Sequence, residues 1–260
     1  MDLILHNGVI RTMNGESDVY QAVGIKDNKI VLVGSNEEAL GLKDENTQVV
    51  DLGGKTVVPG FNDSHMHLLS YGYSLTMAYL NDTTSLQEVF ERTREFIKDK
   101  NVPEGKWVRG RGWNQDYFQD ENRFPTRYDL DKISMDHPIC LTRTCGHVLV
   151  VNSKGLDILG IDKNTPQFPG GHFDKDENGE VLGIFREDAM RPVYNAIPAP
   201  TLDEIKDMIL AASRELNKCG ITSVGSDDFE SLPQGDYENV IRAFRELKEE
   251  GKTTVRVYEQ

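Results

Sequence analysis

The first sixty residues are short apolar runs separated by turn-forming pairs. Residues 3–5 and 9–10 flank Asn7-Gly8, residues 22–25 and 30–33 flank Asp27-Asn28, and residues 48–52 and 55–58 flank Gly53-Gly54. Asn and Gly tolerate positive φ, so each pair predicts a hairpin, and three in a row predict a small β-sandwich. Ser85 and Glu88 then form a capping pair for a helix over residues 85–98, with Leu86, Val89, Phe90 and Ile97 on one face. Residues 100–185 are mixed and turn-rich, with a hairpin tip predicted from Asp174 to Gly179. From Thr201 the pattern becomes regular. Thr201 and Glu204 cap a helix whose stripe is Leu202, Ile205, Ile209, Ala212 and Leu216, closed by Gly220. A strand over 221–224 follows. Asp236 then caps a helix with the stripe Tyr237, Val240, Ile241, Phe244 and Leu247, closed by Gly251, and a last strand covers 253–258. Strand, helix, strand is the crossover unit of parallel sheets and barrels. A parallel barrel needs eight strands. Only three or so are visible after Val57, so the β-branched ending predicts a piece of a longer protein.

Composition narrows the class. With 29 Lys and Arg against 43 Asp and Glu, the formal net charge is −14. That excludes nucleic acid as a default partner and argues against anionic membranes. Hydrophobic residues make up 38% and mean hydropathy is −0.50, the profile of a water-soluble globular chain. No apolar run approaches the roughly 18–20 residues that span a bilayer. The N-terminus lacks the basic and apolar regions of a signal peptide, and Cys140, Cys145 and Cys219 show no paired spacing. A cytoplasmic location without a disulfide framework is expected.

The sharpest chemical feature is His65-Met66-His67. On extended backbone, residues i and i+2 share a side, so two imidazoles there can ligate one divalent cation. Six histidines in 260 residues would give about 0.14 such pairs by chance, so the bare pair is weak evidence. Its surroundings strengthen it. The run Val58-Pro59-Gly60-Phe61-Asn62-Asp63-Ser64-His65-Met66-His67 resembles the amidohydrolase superfamily signature Pro-Gly-Phe-x-Asp-x-His-x-His. Gly110-Arg111-Gly112-Trp113-Asn114 is similar to the Gly-x-Gly-Trp motif of the N-substituted formamide deformylase-like (YtcJ-like) branch. Arg143 with Gly146-His147 and Asn152 resembles its Arg-x-x-Gly-His-x-x-x-x-Asn, and residues 183–189 resemble its segment returning to the barrel.

The resemblance implies a metal-dependent hydrolase acting on a C–N amide-type bond of a small molecule. One or two divalent ions, zinc in the first place, would be held by His65 and His67, with Asp63 orienting the loop. The site also needs an anionic group. Arg186 stands where many relatives carry lysine and cannot be carbamylated, so Glu187 is expected as the ligand, with Asp188 in reserve. Helix-start acids would explain both equally simply. Trp113 and His147 are expected at the substrate. Aromatic core packing for Trp113 and a core histidine bonded to a carbonyl for His147 are the rival explanations. A catalytic role for Cys145 is not expected. The general base would lie beyond Gln260, leaving residues 1–260 inactive alone. The implied fold is α/β: an incomplete composite β-sandwich over 1–58, a first barrel strand end and metal loop over 59–71, an inserted α/β region over 72–183, and a partial (β/α) TIM-type barrel over 184–260. A homodimer is left open. A non-catalytic binding or assembly module built on this fold is the alternative, since missing barrel strands would expose sheet edges.

Overall fold

The computed structural model of the chain describes residues 1–15, 18–229, 231–232 and 237–260. The expected helix cap at Asp236 lies outside the described residues. Two compact units are present: Met1–Asn62 with Gly220–Ser223, and Asp63–Cys219 with Val224–Gln260.

The first unit contains β1 (Leu3–His6), β2 (Val9–Arg11), β3 (Val19–Tyr20), β4 (Ala22–Lys26), β5 (Lys29–Gly34), α1 (Asn36–Leu40), β6 (Gln48–Asp51) and β7 (Thr56–Val57). They form two sheets, ordered β5-β4-β1-β6 and β3-β2-β7. The hairpin expected at Asp27-Asn28 is present: both residues have positive φ and β4 pairs antiparallel with β5. The other two expected hairpins are not. β1 pairs parallel with β6, and β2 pairs parallel with β7. Asn7-Gly8 and Gly53-Gly54 instead carry two neighbouring chains from one sheet into the other. Asn7, at φ 57°, is tied to Asp51 through its side-chain amide at 2.8 Å, and its N–H donates to Asn36 Oδ1 at 2.7 Å. A Cβ at position 8 would press on the Leu52 side chain and the Lys55 carbonyl, so glycine eases the crossing.

The strand that carries His65 is also different from the one expected. β7 stops at Val57, and a fresh strand, β8 (Phe61–Met66), follows Pro59-Gly60. Proline has no N–H for a ladder, which ends the first strand. A Cβ on Gly60 would overlap Thr222, so glycine permits the close approach that starts the second.

The second unit continues with α2 (Leu68–Ser74), β9 (Ala78–Tyr79), α3 (Leu86–Asp99), β10 (Val108–Trp113), α4 (Arg127–Asp131), β11 (Ile139–Arg143), β12 (Val148–Val151), α5 (Ser153–Leu159), β13 (Gly171–Lys175), β14 (Val181–Glu187), α6 (Arg191–Ala196), α7 (Leu202–Lys218), β15 (Ile221–Ser226), α8 (Tyr237–Glu249) and β16 (Arg256–Glu259). A six-stranded mixed sheet has the order β13-β14-β12-β11-β10-β9. Alternate residues feed two cores. Ile139, Leu141, Val148, Val150 and Ile184 join the cluster with Leu86, Val89 and Phe90 of α3, whereas Cys140, Leu149, Val151 and Phe185 join Leu156 and Phe173. The sheet is therefore buried on both faces, which explains its continuous apolar runs.

A further sheet has the order β16-β15-β8. The Phe61 N–H donates to Gly220 O at 2.8 Å at one end, and the Asp227 N–H donates to Met66 O at 3.2 Å at the other. Residue numbers rise together, so β8 and β15 are parallel. α7 begins with the expected Thr201–Glu204 capping box. It packs against α2, where Gly72 allows the backbones to meet at Met208, and against α8. Tyr237 is exposed rather than on the apolar stripe of α8, whose buried residues are Val240, Ala243 and Leu247. The sheets of the described residues do not close into a barrel. No helix among the described residues is long and apolar enough to cross a membrane.

Candidate metal centre

His65 lies near the end of β8. His67 stands one residue past it, with φ −119° and ψ 85°. The two rings are 5.5 Å apart between centroids, edge to face at 76°. A Zn–N bond of about 2.0–2.1 Å puts a ring centre about 3.2 Å from the metal, so two imidazoles at a tetrahedral angle have centroids about 5.2 Å apart. The spacing of the ring centres is close to that of two imidazoles on one cation, and both residues are exposed. Asp63 Oδ1 accepts the His65 N–H at 3.1 Å, so this carboxylate shapes the backbone of the motif.

The segment after β15 holds the second histidine. Asp227 O lies 2.5 Å from His67 Nδ1. A carbonyl only accepts, so Nδ1 carries the proton and Nε2 is left as the donor atom for a metal. Ser226 Oγ accepts the Leu68 N–H at 2.9 Å, and Asp228 Oδ1 accepts the Leu69 N–H at 3.0 Å. Ser226 and Asp228 are fully buried and bonded to each other at 2.6 Å. Glu259, at the end of β16, lies against Asp228. Burial first, and then the negative charge of Asp228, push its carboxyl up to about 7.

Glu187 and His147 meet elsewhere. His147 Nδ1 is 3.0 Å from Glu187 Oε2, and the Glu187 N–H donates to His147 O at 3.2 Å. The hydrogen bond and charge of Glu187 hold His147 above its ordinary pKa. Glu187 has φ 53° and ψ −132°, a region costly for any residue but glycine. Both residues line a cavity of about 400 Å³ with Asp188, Arg191 and Tyr194. Among the described residues, no group of three or more His, Cys, Asp or Glu side chains could hold a metal ion. Neither Glu187 nor the reserve Asp188 is thus brought to the histidine pair. Glu187 is engaged by His147, and Asp188 is bridged to Arg191 at 3.1 Å.

Trp113 faces the core, not a substrate cavity. It is fully buried, its indole N–H donates to Leu141 O at 3.1 Å, and Phe124 stands edge-on at 5.7 Å. The motifs around it nonetheless meet. Arg143 Nη2 donates to Asn114 Oδ1 at 2.7 Å, and the Thr144 N–H donates to Trp113 O at 3.0 Å. Asn152 is a buried structural amide, accepting from Ile139 N and Gly155 N and donating to His137 O and Ser134 O.

Sequence reasoning missed Ser226, Asp228 and Glu259. The available signal was a run of polar residues at the carboxyl end of strands in a crossover pattern, where parallel folds place their sites.

Comparison with known proteins gives consistent matches. The profile of the amidohydrolase family matches residues 48–260. The chain is 32% identical over 262 positions to YtcJ of Bacillus subtilis (strain 168), covering 99% of this chain and 48% of that protein. It is 30% identical over 230 positions to the N-substituted formamide deformylase of Arthrobacter pascens, covering 86% and 42%. The crystal structure of an uncharacterized metal-dependent hydrolase from Pyrococcus furiosus superposes with a TM-score of 0.72 at 32% identity, over 99% of this chain and 49% of that one. The chain spans about half the length of these relatives.

Proposed function

The chain belongs to the amidohydrolase family, and on that footing we propose that it is the N-terminal part of a metal-dependent hydrolase that cleaves a C–N amide-type bond of a small molecule. The observation that carries the proposal is the His65–His67 pair, its rings 5.5 Å apart at the carboxyl end of a strand parallel to β15. His65 and His67 would hold a divalent cation, zinc by its affinity for imidazole, which would polarise the scissile carbonyl and lower the pKa of water. His67 offers Nε2 because Asp227 O occupies Nδ1. Two imidazoles leave such a cation short of the three protein ligands a catalytic zinc needs. Further ligands and the general base therefore belong, in this proposal, outside residues 1–260, and this chain alone is inactive. His147, oriented by Glu187 in a cavity of small-molecule size, contacts the substrate. Residues 1–58 are part of a β-sandwich, residues 59–71 the metal loop, residues 72–183 an insert, and residues 184–260 part of a TIM-type barrel.

The experiment is elemental analysis and amide hydrolysis on a protein of the relatives' full length carrying this sequence, before and after chelation. Stoichiometric metal and chelator-sensitive hydrolysis are expected. Hydrolysis by a metal-free preparation would reject the proposal.

A further inference from the structure

A helix leaves its first N–H groups without intrahelical partners, and a Ser, Thr, Asp or Asn side chain at the cap usually accepts from them. In α2 the capping position is His67, whose side chain makes no such bond. A histidine whose ring is turned to Asp227 O on one nitrogen and offers the other to a metal cannot also serve the helix behind it. The chain thus asks two things of one residue.

The acceptors come from about 160 positions further on. The Leu68 N–H goes to Ser226 Oγ at 2.9 Å, the Leu69 N–H to Asp228 Oδ1 at 3.0 Å, and the Ser70 N–H to the same oxygen at 3.4 Å. Ser226 Oγ in turn donates to Asp228 Oδ2 at 2.6 Å, and Ser231 Oγ donates to Asp228 Oδ1 at 3.0 Å. Ser226 and Asp228 are shielded from solvent. A carboxylate at a helix start also meets the positive end of the helix dipole. Between these two residues sits Asp227. Its N–H donates to Met66 O at 3.2 Å, and its carbonyl accepts a hydrogen bond from His67 Nδ1.

We propose that Asp228 is a positioning residue: by capping α2 from the segment that follows β15, together with Ser226 at the end of that strand, it locks residues 66–70 against Asp227 and so fixes His67 as the Nδ1–H tautomer with Nε2 presented. The metal role of His67 is taken from the function proposed above, but the tautomer is a property of the metal-free chain. Asp228 touches neither metal nor substrate.

The test uses ¹⁵N-histidine-labelled protein without metal, at a pH of about 8 where imidazole is neutral. Two-bond ¹H–¹⁵N spectra should show His67 as a single Nδ1–H tautomer. Asp228→Ala should give a mixture of tautomers at His67 and weaken Co²⁺ binding about 10–100-fold. Asp228→Asn, which keeps an oxygen for the Leu69 N–H, should restore most of both. Ser226→Ala should shift both readouts in the same direction by less, and it carries the test if Asp228→Ala does not fold. Thr201→Ala, which removes the cap of α7, should lower the melting temperature and leave His67 unchanged. An unaltered His67 tautomer in Ser226→Ala and in folded Asp228→Ala would overturn the proposal and leave Asp228 as a cap only. If His67→Ala does not weaken Co²⁺ binding, the metal role of His67 fails, while the tautomer result still decides the role of Asp228.

Discussion

Glu259 lies against Asp228 at the ends of neighbouring strands, with both of its carboxylate oxygens buried. Two carboxyls in one dry place cannot both ionise cheaply. Among the described residues, Asp228 accepts from the Leu69 and Ser70 N–H groups and from the Ser226 and Ser231 hydroxyls. Glu259 is the one pushed up, from an ordinary 4.5 to about 7, by burial and by the charges of Asp228 and Asp227.

The sign follows from linkage. Below about pH 4.5 Glu259 is protonated in both folded and unfolded chains and adds no pH dependence to stability. Between about 4.5 and 7 the unfolded chain releases this proton and the folded one keeps it, so stability falls as pH rises. Glu259→Gln, neutral at every pH, should flatten the melting temperature against pH in that window and melt higher than the parent at pH values above 7. Parallel melting curves for the two proteins from pH 4.5 to 7 would refute the assignment.

Glu187 is strained and also bonded to His147, so two substitutions separate the two properties. Glu187→Gln removes the charge and should let the His147 pKa fall back toward 6.5, read from its ring proton shifts. Glu187→Gly relieves a backbone at φ 53° and should stabilise the fold by about 1 kcal/mol in chemical denaturation. A destabilised Glu187→Gly protein would mean that the side chain contributes more than the strain costs.

His65→Ala and His67→Ala each remove one of two imidazoles. On the function proposed, in a protein of the relatives' full length carrying this sequence, each should lower metal affinity at least 10-fold and abolish chelator-sensitive hydrolysis, because the ligand shell becomes incomplete. Isothermal titration with Zn²⁺ measures this directly. Full metal occupancy in either variant would remove the pair from the metal site.

Trp113→Ala distinguishes a core residue from a pocket wall. With the indole fully buried and bonded to Leu141 O, the loss should be about 3–5 kcal/mol by urea denaturation. A loss under about 1 kcal/mol would return Trp113 to the surface of a cavity.

What the sequence made legible was local. Asp27-Asn28, the Thr201–Glu204 box and the His65-Met66-His67 run carry their information within a few residues, and each appears in the fold. Asn7-Gly8 announced a turn correctly, but a turn does not say which strands pair. β1 found β4 and β6, and the hairpin was lost to partners distant in sequence. Ser85 accepts from Glu88 N as its capping pair predicts, yet the Glu88 carboxylate goes to Thr84 N instead of closing the box. Asp228 was invisible as a cap because the helix it serves begins at Leu68. Glu187 shows the same limit in chemistry. Charge arguments selected it as a ligand, and the fold gave it a histidine from a different strand end.

The span between His67 and Asp227, 160 positions, also sets a clock. At about 5–20 residues per second, a ribosome makes the histidines roughly 8–30 s before the segment that clamps them. Throughout that interval the ring of His67 lacks the carbonyl that orients it. On the function proposed, His67 can present Nε2 alone to a cation only after synthesis has passed Asp227, whose carbonyl holds the other nitrogen.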